Sequence, residues 1–473
     1  MVDLPQHAAQ VSIWTHFGDP RWGFERQFFL DFGSPYLFGY AVARLLASWM
    51  DVVLALKVTV ILAVLALPFS LRRLFRRTGA DEWWSLIGFP LAFGVVFYWG
   101  FLNFLASVPI FVLFLVEARD YAEAPSRAGA VRMALFAAGL YLCHALVLLF
   151  GAASAGLMIA EAAPGLRAAA RRVIPVAVPA LLALAWGELA SAHNALAQHE
   201  IQWELGLQRL GRLPSLLFDF RSAPFDPRLP RDYAPFLLTG ALVVALGVAG
   251  ARLDRRVRAW GPAALAGALY LALPHMLRSV AYIYHRFAAM IVVCLLAALA
   301  ATATGWRRHL SHGILLGCAL GWLGALAVRF HDYDADARDF DAVRAVMQPL
   351  RSVAPLTFDL ASPSFPELPV FLHFVAWYQA ESGGSIGYSF AKGFMQPARY
   401  LPGAEPVMTP GLEWEPRRFN WRVDGHFDYF LVHAGQDLGR YIFAQATSPV
   451  ALEAHRGRWW LYRRLGPAAA SAR

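Results

Sequence analysis

Through the first two-thirds of this chain the apolar residues do not alternate. They run unbroken for about 15–20 positions at a time between short polar turns. A helix of that length covers the roughly 30 Å hydrocarbon layer of a bilayer. The pattern predicts about ten spans, near 52–71, 83–99, 101–117, 131–148, 149–163, 173–190, 234–252, 260–276, 287–304 and 312–328. The runs are continuous and rich in Ala and Leu, which excludes the short alternating strands of a membrane barrel. Residues 36–50 are also apolar and read as an interfacial or re-entrant helix.

After Val328 the pattern becomes charged and aromatic, punctuated by Pro and Gly. Residues 331–350 read as an amphipathic helix, 356–360 as a strand and 371–379 as a helix. Residues 427–435 read as a strong strand, and 458–464 alternate like a final edge strand. The expected fold class is therefore mostly α: a polytopic membrane domain over 1–330, then a small α/β domain over 331–473. The closing GPAAASAR reads as a tail without structure.

Charge orients this map. The basic clusters are Arg72, Arg73, Arg76 and Arg77; Arg119, Arg127 and Arg132; Arg167, Arg171 and Arg172; Arg252, Arg255, Arg256 and Arg258; and Arg307 with Arg308. Counted along the predicted spans they fall on alternate sides, so the positive-inside rule puts all of them in the cytoplasm. Residues 1–51, 191–233, 277–286 and the tail from 329 then lie outside. The alternative is that 36–50 spans as well and the map inverts. The chain's 58% hydrophobic and 16% charged residues fit a membrane class, since soluble domains carry about 25% charge. The net charge of +9 sits at span ends, which argues against nucleic acid as a partner. The three cysteines, Cys143, Cys294 and Cys318, lie in apolar runs and imply no disulfide or zinc framework. Residues 1–20 show no signal-peptide pattern.

Polar residues held at the outer face are the candidates for chemistry. In Asp3-Leu4-Pro5-Gln6-His7 the proline starts a helix, with Asp3 at its N-cap and His7 on the next turn. Asp3 could serve as a general base on a hydroxyl or help hold a divalent cation such as Mg²⁺ or Mn²⁺. An ordinary helix start would look the same. His275, Arg278, His285 and Arg286 crowd one short outer loop with Tyr282 and Tyr284. Their arginine forks suit a phosphate, against the alternative of an interfacial aromatic and arginine belt. Asn103 sits at a turn, where it could bind a sugar hydroxyl or, more simply, cap the helix that follows. His144 falls mid-span and reads as a buried structural histidine. The 191–233 loop carries His193, His199, Glu200, Glu204 and Asp219, a weak hint of metal-ligand spacing on what reads as a surface-lying amphipathic helix. Its Pro-rich end, 220–233, could line a groove.

Four features resemble one family: the acidic DLPQH segment; PYLFGYAVARLLASWM running into a span that ends in RRLFRR; WGFLNFLASVPIF; and a multi-span core ending in an outer domain with FDYFLV and GRWWLYRR. The layout is similar to the GT-C superfamily of integral-membrane glycosyltransferases, in its bacterial form. That resemblance implies an enzyme of the bacterial inner membrane that moves a sugar from a polyprenyl-phosphate donor to a glycan, lipid or protein acceptor on the extracytoplasmic face. It assigns catalysis, or a place at a metal site, to Asp3. It assigns a grip on the lipid-linked phosphate to Arg278 and Arg286; His7, Asn103, His275 and His285 are read from their positions along the chain as further substrate contacts. It also implies a span ahead of the acidic loop, whereas this sequence starts two residues before Asp3. A transporter or flippase for a lipid-linked or anionic solute, and a non-catalytic scaffold of the same fold, are the rival expectations. The first of these would need more ionisable residues at mid-membrane than the spans contain.

Overall fold

A computed structural model describes residues 1–193, 201–218, 233–277 and 280–466, the side chains of 190–193 excepted. The chain is mostly helical and divides into two compact units. One comprises 34–39 and 60–325; the other comprises 1–33, 40–59 and 326–473.

Among the described residues five helices are long and apolar enough to cross a membrane: Val52–Thr78, Leu102–Glu123, Ala145–Ala162, Leu166–Leu189 and Gly305–Arg344. Their exposed side chains name the solvent they were built for. Ile174, Val178, Leu181, Leu182 and Leu184 are each more than half exposed on one helix. A continuous apolar belt of that kind is unstable in water and needs a partner or lipid. Leu102–Glu123 is the buried one, packed between Arg127–Cys143 and Ala145–Ala162.

The expected count of about ten spans is not reproduced as ten long helices. The run expected at 83–99 is a chain of short helical turns, Glu82–Ile87, Gly88–Leu91 and Val95–Trp99. Its glycines explain this. A Cβ on Gly88 would lie 2.8 Å from Pro68 Cα, and one on Gly94 2.8 Å from the Leu216 carbonyl oxygen. Close backbone approach has taken precedence over helix length there. The runs expected at 234–252, 260–276 and 287–304 form helices Ala234–Val248, Val257–Ala272 and Phe287–Ala297, of 15, 16 and 11 residues. Two of these stop short because Arg252–Leu253 pairs antiparallel with Leu299–Ala300. The break expected near 148 falls at His144, whose extended backbone separates Arg127–Cys143 from Ala145–Ala162. Residues of the basic clusters make ion pairs: Arg77 pairs with Asp120 and Glu123, and Arg308 and His312 converge on the buried Asp81.

The other unit is built on a five-stranded sheet. Its order is Val450–Arg456, Trp459–Arg464, Tyr429–His433, Ser352–Thr357, Ser385–Ile386. The first three pair antiparallel and the last two join in parallel. Tyr429–His433 is central and buried at every position, as a strand covered on both faces should be. Trp459–Arg464 lies inside the sheet rather than at its edge, because the hairpin returns Val450–Arg456 outside it. The strand expected at 356–360 lies earlier, at Ser352–Thr357, and the helix expected at 371–379 runs later, from Val375 to Ser382. The amphipathic helix expected at 331–350 is no separate element: Gly305–Arg344 is one helix of 40 residues, about 60 Å long.

The domain division also differs from the expected 1–330 and 331–473. The helix Leu4–Thr15 packs on Val375–Ser382, and Phe28–Leu30 pairs with Ala398–Tyr400. Ile13, Phe24 and Phe28 share a core with Ala391 and Ala398. Apolar burial, not chain order, groups the N-terminal segment with the sheet. Residues 36–50 contain a single short helix, Phe38–Leu46, about 13 Å long and too short to span.

Gly384 leads into the parallel edge strand with φ +80°, and a Cβ there would meet the Arg351 carbonyl oxygen at 2.3 Å. Gly384→Ala is expected to cost about 2–3 kcal/mol through strain and clash. Thermal unfolding of the full chain checks this, and an unchanged midpoint contradicts the placement.

Candidate functional site

The first polar cluster lies in the unit that holds the sheet. Asp3 is the N-cap of Leu4–Thr15, as the sequence predicts, but its carboxylate makes no cap hydrogen bond. A capping Asp is normally worth about 1 kcal/mol through that bond. Here the side chain turns inward instead, and its Oδ1 stands 3.5 Å from His373 Nε2. Burial pushes the Asp3 carboxyl up to about 7 and the His373 imidazole down to about 3. At neutral pH the pair is therefore a half-ionised acid beside a neutral imidazole, although its spacing falls within ion-pair range.

The helix face beside Asp3 is held by unusual polar packing. Gln6 donates from Nε2 to the Tyr388 carbonyl at 3.1 Å and accepts from the Phe390 N–H at 3.0 Å. One turn on, Gln10 Oε1 accepts from Ala398 N–H at 3.0 Å. These glutamines, both essentially inaccessible, fix the segment that carries Tyr388, whose ring stacks on His373 at 5.5 Å. His7 Nδ1 lies 2.6 Å from the Tyr40 hydroxyl, which donates to Gln396 Oε1 at 2.5 Å. A hydroxyl has one proton, so with Gln396 presenting its oxygen, His7 donates from Nδ1 to the Tyr40 oxygen.

The second cluster belongs to the other unit. Arg209 has no exposed surface; its Nη1 donates to the carbonyls of Tyr270, Leu271 and Leu273 at 2.9–3.0 Å. Those are orphan acceptors at the end of Val257–Ala272, which a cation caps well. The clip anchors the neighbouring strand pair, Ile201–Gln202 with Met276–Leu277. Glu204 follows that strand. Its Oε2 accepts from the Tyr284 hydroxyl at 2.8 Å and from Arg212 at 2.9 Å. Burial works to raise the Glu204 carboxyl, but Tyr284, His275 and Arg212 together hold it below its ordinary value. His275 and His285 face each other with ring centroids 5.1 Å apart, and Tyr282 stands edge-on to both.

Arg286 follows His285 and is 8% exposed. It donates to His144 Nε2 at 2.8 Å and to the Ala281 carbonyl at 3.2 Å, and its guanidinium stacks 4.6 Å from the Phe101 ring. Its Nε has no partner, and no carboxylate pairs with it among the described residues. A buried guanidinium without a carboxylate beside it is costly unless another anion meets it.

Of the residues singled out from sequence, Asp3 and His7 thus share one cluster, and His275, His285 and Arg286 share another. Asn103 is within Leu102–Glu123; its Oδ1 accepts from Gly39 N–H and its Nδ2 donates to Tyr36 O, both at 2.8 Å. One lone pair of its oxygen and one proton of its nitrogen go to the Tyr36–Gly39 turn, and the N-cap of Leu102–Glu123 is Phe101, so Asn103 does not cap that helix. Arg278, His199, Glu200, Asp219 and 220–232 lie outside the described residues, as does the side chain of His193. Sequence reading missed His373, Tyr40, Tyr388 and Gln396. The available signal was His373 itself, a titratable residue inside the apolar run FLHFVAW. The sequence matches no protein-family model, no curated protein and no solved structure.

The raised Asp3 value has a stability consequence. A carboxyl whose folded pKa lies above its unfolded 3.8 stabilises fully below that value, and the contribution is lost as pH rises through about 7. The change amounts to about 4 kcal/mol. Asp3→Asn, neutral at all pH, is therefore expected to match the parent near pH 4 and to unfold later than it at pH 8. Melting curves at both pH values in detergent check this, and a variant less stable at pH 8 contradicts it.

Proposed function

We propose that the chain is a polytopic membrane glycosyltransferase of the GT-C kind, transferring a sugar from a polyprenyl-phosphate donor to a hydroxyl acceptor. In this reading it crosses the bacterial inner membrane about ten times, partly through short and broken helices, with its C-terminal α/β region on the extracytoplasmic side. Asp3 carries the reading. A carboxylate that declines its capping role, buried and held near pKa 7, has the acid–base properties of a general base working at neutral pH.

The chemistry is a direct displacement. The acceptor oxygen forms a bond to the anomeric carbon while its proton passes to Asp3. The bond from that carbon to the phosphate oxygen breaks, and the lipid phosphate leaves with the electron pair. A single displacement inverts the anomeric centre. Arg286, in the other unit, has the character that binding a phosphate asks for: it is buried, pairs with no carboxylate among the described residues and has its orientation set by His144. The apolar surroundings of Phe104, Phe150 and Phe287 near Arg286 suit a lipid carrier.

Asp3→Asn is expected to lower transfer of radiolabelled sugar from polyprenyl phosphate by about 100-fold or more, and the parent rate should rise with pH to a plateau above about 7. Because this variant is expected to gain stability at pH 8, lost transfer there cannot be put down to unfolding. Undiminished transfer removes Asp3 from the chemistry.

A further inference from the structure

Glu204, His275 and His285 present three donor atoms that all lie within 4.8 Å of one another. Both histidine Nδ1 atoms are buried and have no hydrogen-bond partner among the described residues. His285 is 3% exposed, so its lone pair cannot turn to water for satisfaction. Glu204 commits Oε2 to Tyr284 and Arg212, which leaves Oε1, 3.8 Å from His275 Nδ1, on the side of the histidines. Two buried imidazole nitrogens and a carboxylate oxygen converging without bonds among themselves form a coordination set rather than a hydrogen-bond network.

The scaffold holds them there at a cost. Tyr282 takes a left-handed backbone, φ +60°, which costs a bulky residue about 1–2 kcal/mol. That turn lets Ile283 N–H reach the His275 carbonyl at 3.1 Å and returns the chain so that His285 faces His275. On the other side His275 N–H donates to the Gln202 carbonyl at 2.8 Å, which fixes His275 against the strand leading to Glu204. Tyr284, stacked on His285 at 3.8 Å, also donates to Glu204 and so orients two of the three groups.

We infer that Glu204, His275 and His285 form a binding site for a transition-metal dication, Zn²⁺ by preference. Imidazole donors suit Zn²⁺, whereas Mg²⁺ takes oxygen ligands and keeps its water. Tetrahedral donors around zinc stand about 3.4 Å apart, so small side-chain rotations close the set on the ion. Three protein ligands leave a fourth position open. With Arg212 already on the carboxylate, the occupied site is net positive, and its open position favours an anionic oxygen.

The inference stands apart from sugar transfer, and its readout needs no substrate. Purified full-length protein, stripped with chelator, is titrated with Zn²⁺ alone by calorimetry and with Co²⁺ alone by visible absorption. One Zn²⁺ per chain and the intense bands of four-coordinate Co²⁺ are expected, with excess Mg²⁺ failing to compete. His275→Gln, His285→Gln and Glu204→Gln should each weaken Zn²⁺ binding at least about tenfold, while His455→Gln, on an exposed histidine, should not. Melting curves of the variants without metal identify any that are unfolded, and the remaining variants then decide. Absence of stoichiometric Zn²⁺ binding, equal competition by Mg²⁺, or binding unchanged in the folded variants of the three residues overturns the inference.

Discussion

A peptide group shielded from water must find its hydrogen bond within the protein, and the unit made of apolar helices is organised around that requirement. Its long helices satisfy it internally. Where helices break, the broken ends are met one by one. At His144 the backbone N–H still reaches the Leu140 carbonyl, and the His144 carbonyl accepts from Val147 and Leu148. At the end of Val257–Ala272, three carbonyls are gathered by Arg209. At its start, Glu161 accepts from the Val257 and Arg258 N–H groups, where a helix dipole favours a carboxylate.

Against that background the unsatisfied groups stand out. Among the described residues Asp3 forgoes its cap and turns to His373, Arg286 pairs with no carboxylate, and two imidazole nitrogens at His275 and His285 face a carboxylate without bonding it. Buried polar atoms in folded proteins are nearly always paired, and those left unpaired concentrate where a ligand completes them. Each of these groups is also held by an expensive arrangement: buried glutamines beside Asp3, a strained Tyr282 backbone beside the histidines. Strain and desolvation of this kind persist only where surrounding contacts over-determine the geometry.

The same logic separates structural polar residues from functional ones. Asn103 and Arg209 are as deeply buried as the candidate groups, yet the bonds of the Asn103 amide and of Arg209 Nε and Nη1 go to backbone and close a turn or a helix end, even though Arg209 Nη2 has no partner among the described residues. Asp81 is buried too, but Arg308 and His312 compensate it. Burial alone does not mark a site; several buried donor atoms converging without bonding one another are the stronger sign.

Reading along the chain was enough for the apolar spacing that makes long helices, the capping position of Asp3, the buried strand through Tyr429–His433 and the crowding of histidine and arginine before residue 287. These are local properties, set by periodicity and by a proline's fixed φ. Where an apolar run breaks is instead a matter of packing, since close backbone contacts at Gly88 and Gly94 outweigh helix length. Packing alone brought His373 to Asp3, Glu204 to His275 and His285, and His144 to Arg286. Those pairings join residues far apart in the chain, and no spacing rule encodes them. They arise because burying the apolar faces around them draws the polar groups out of water together, and each must then settle with whatever partner the packing supplies.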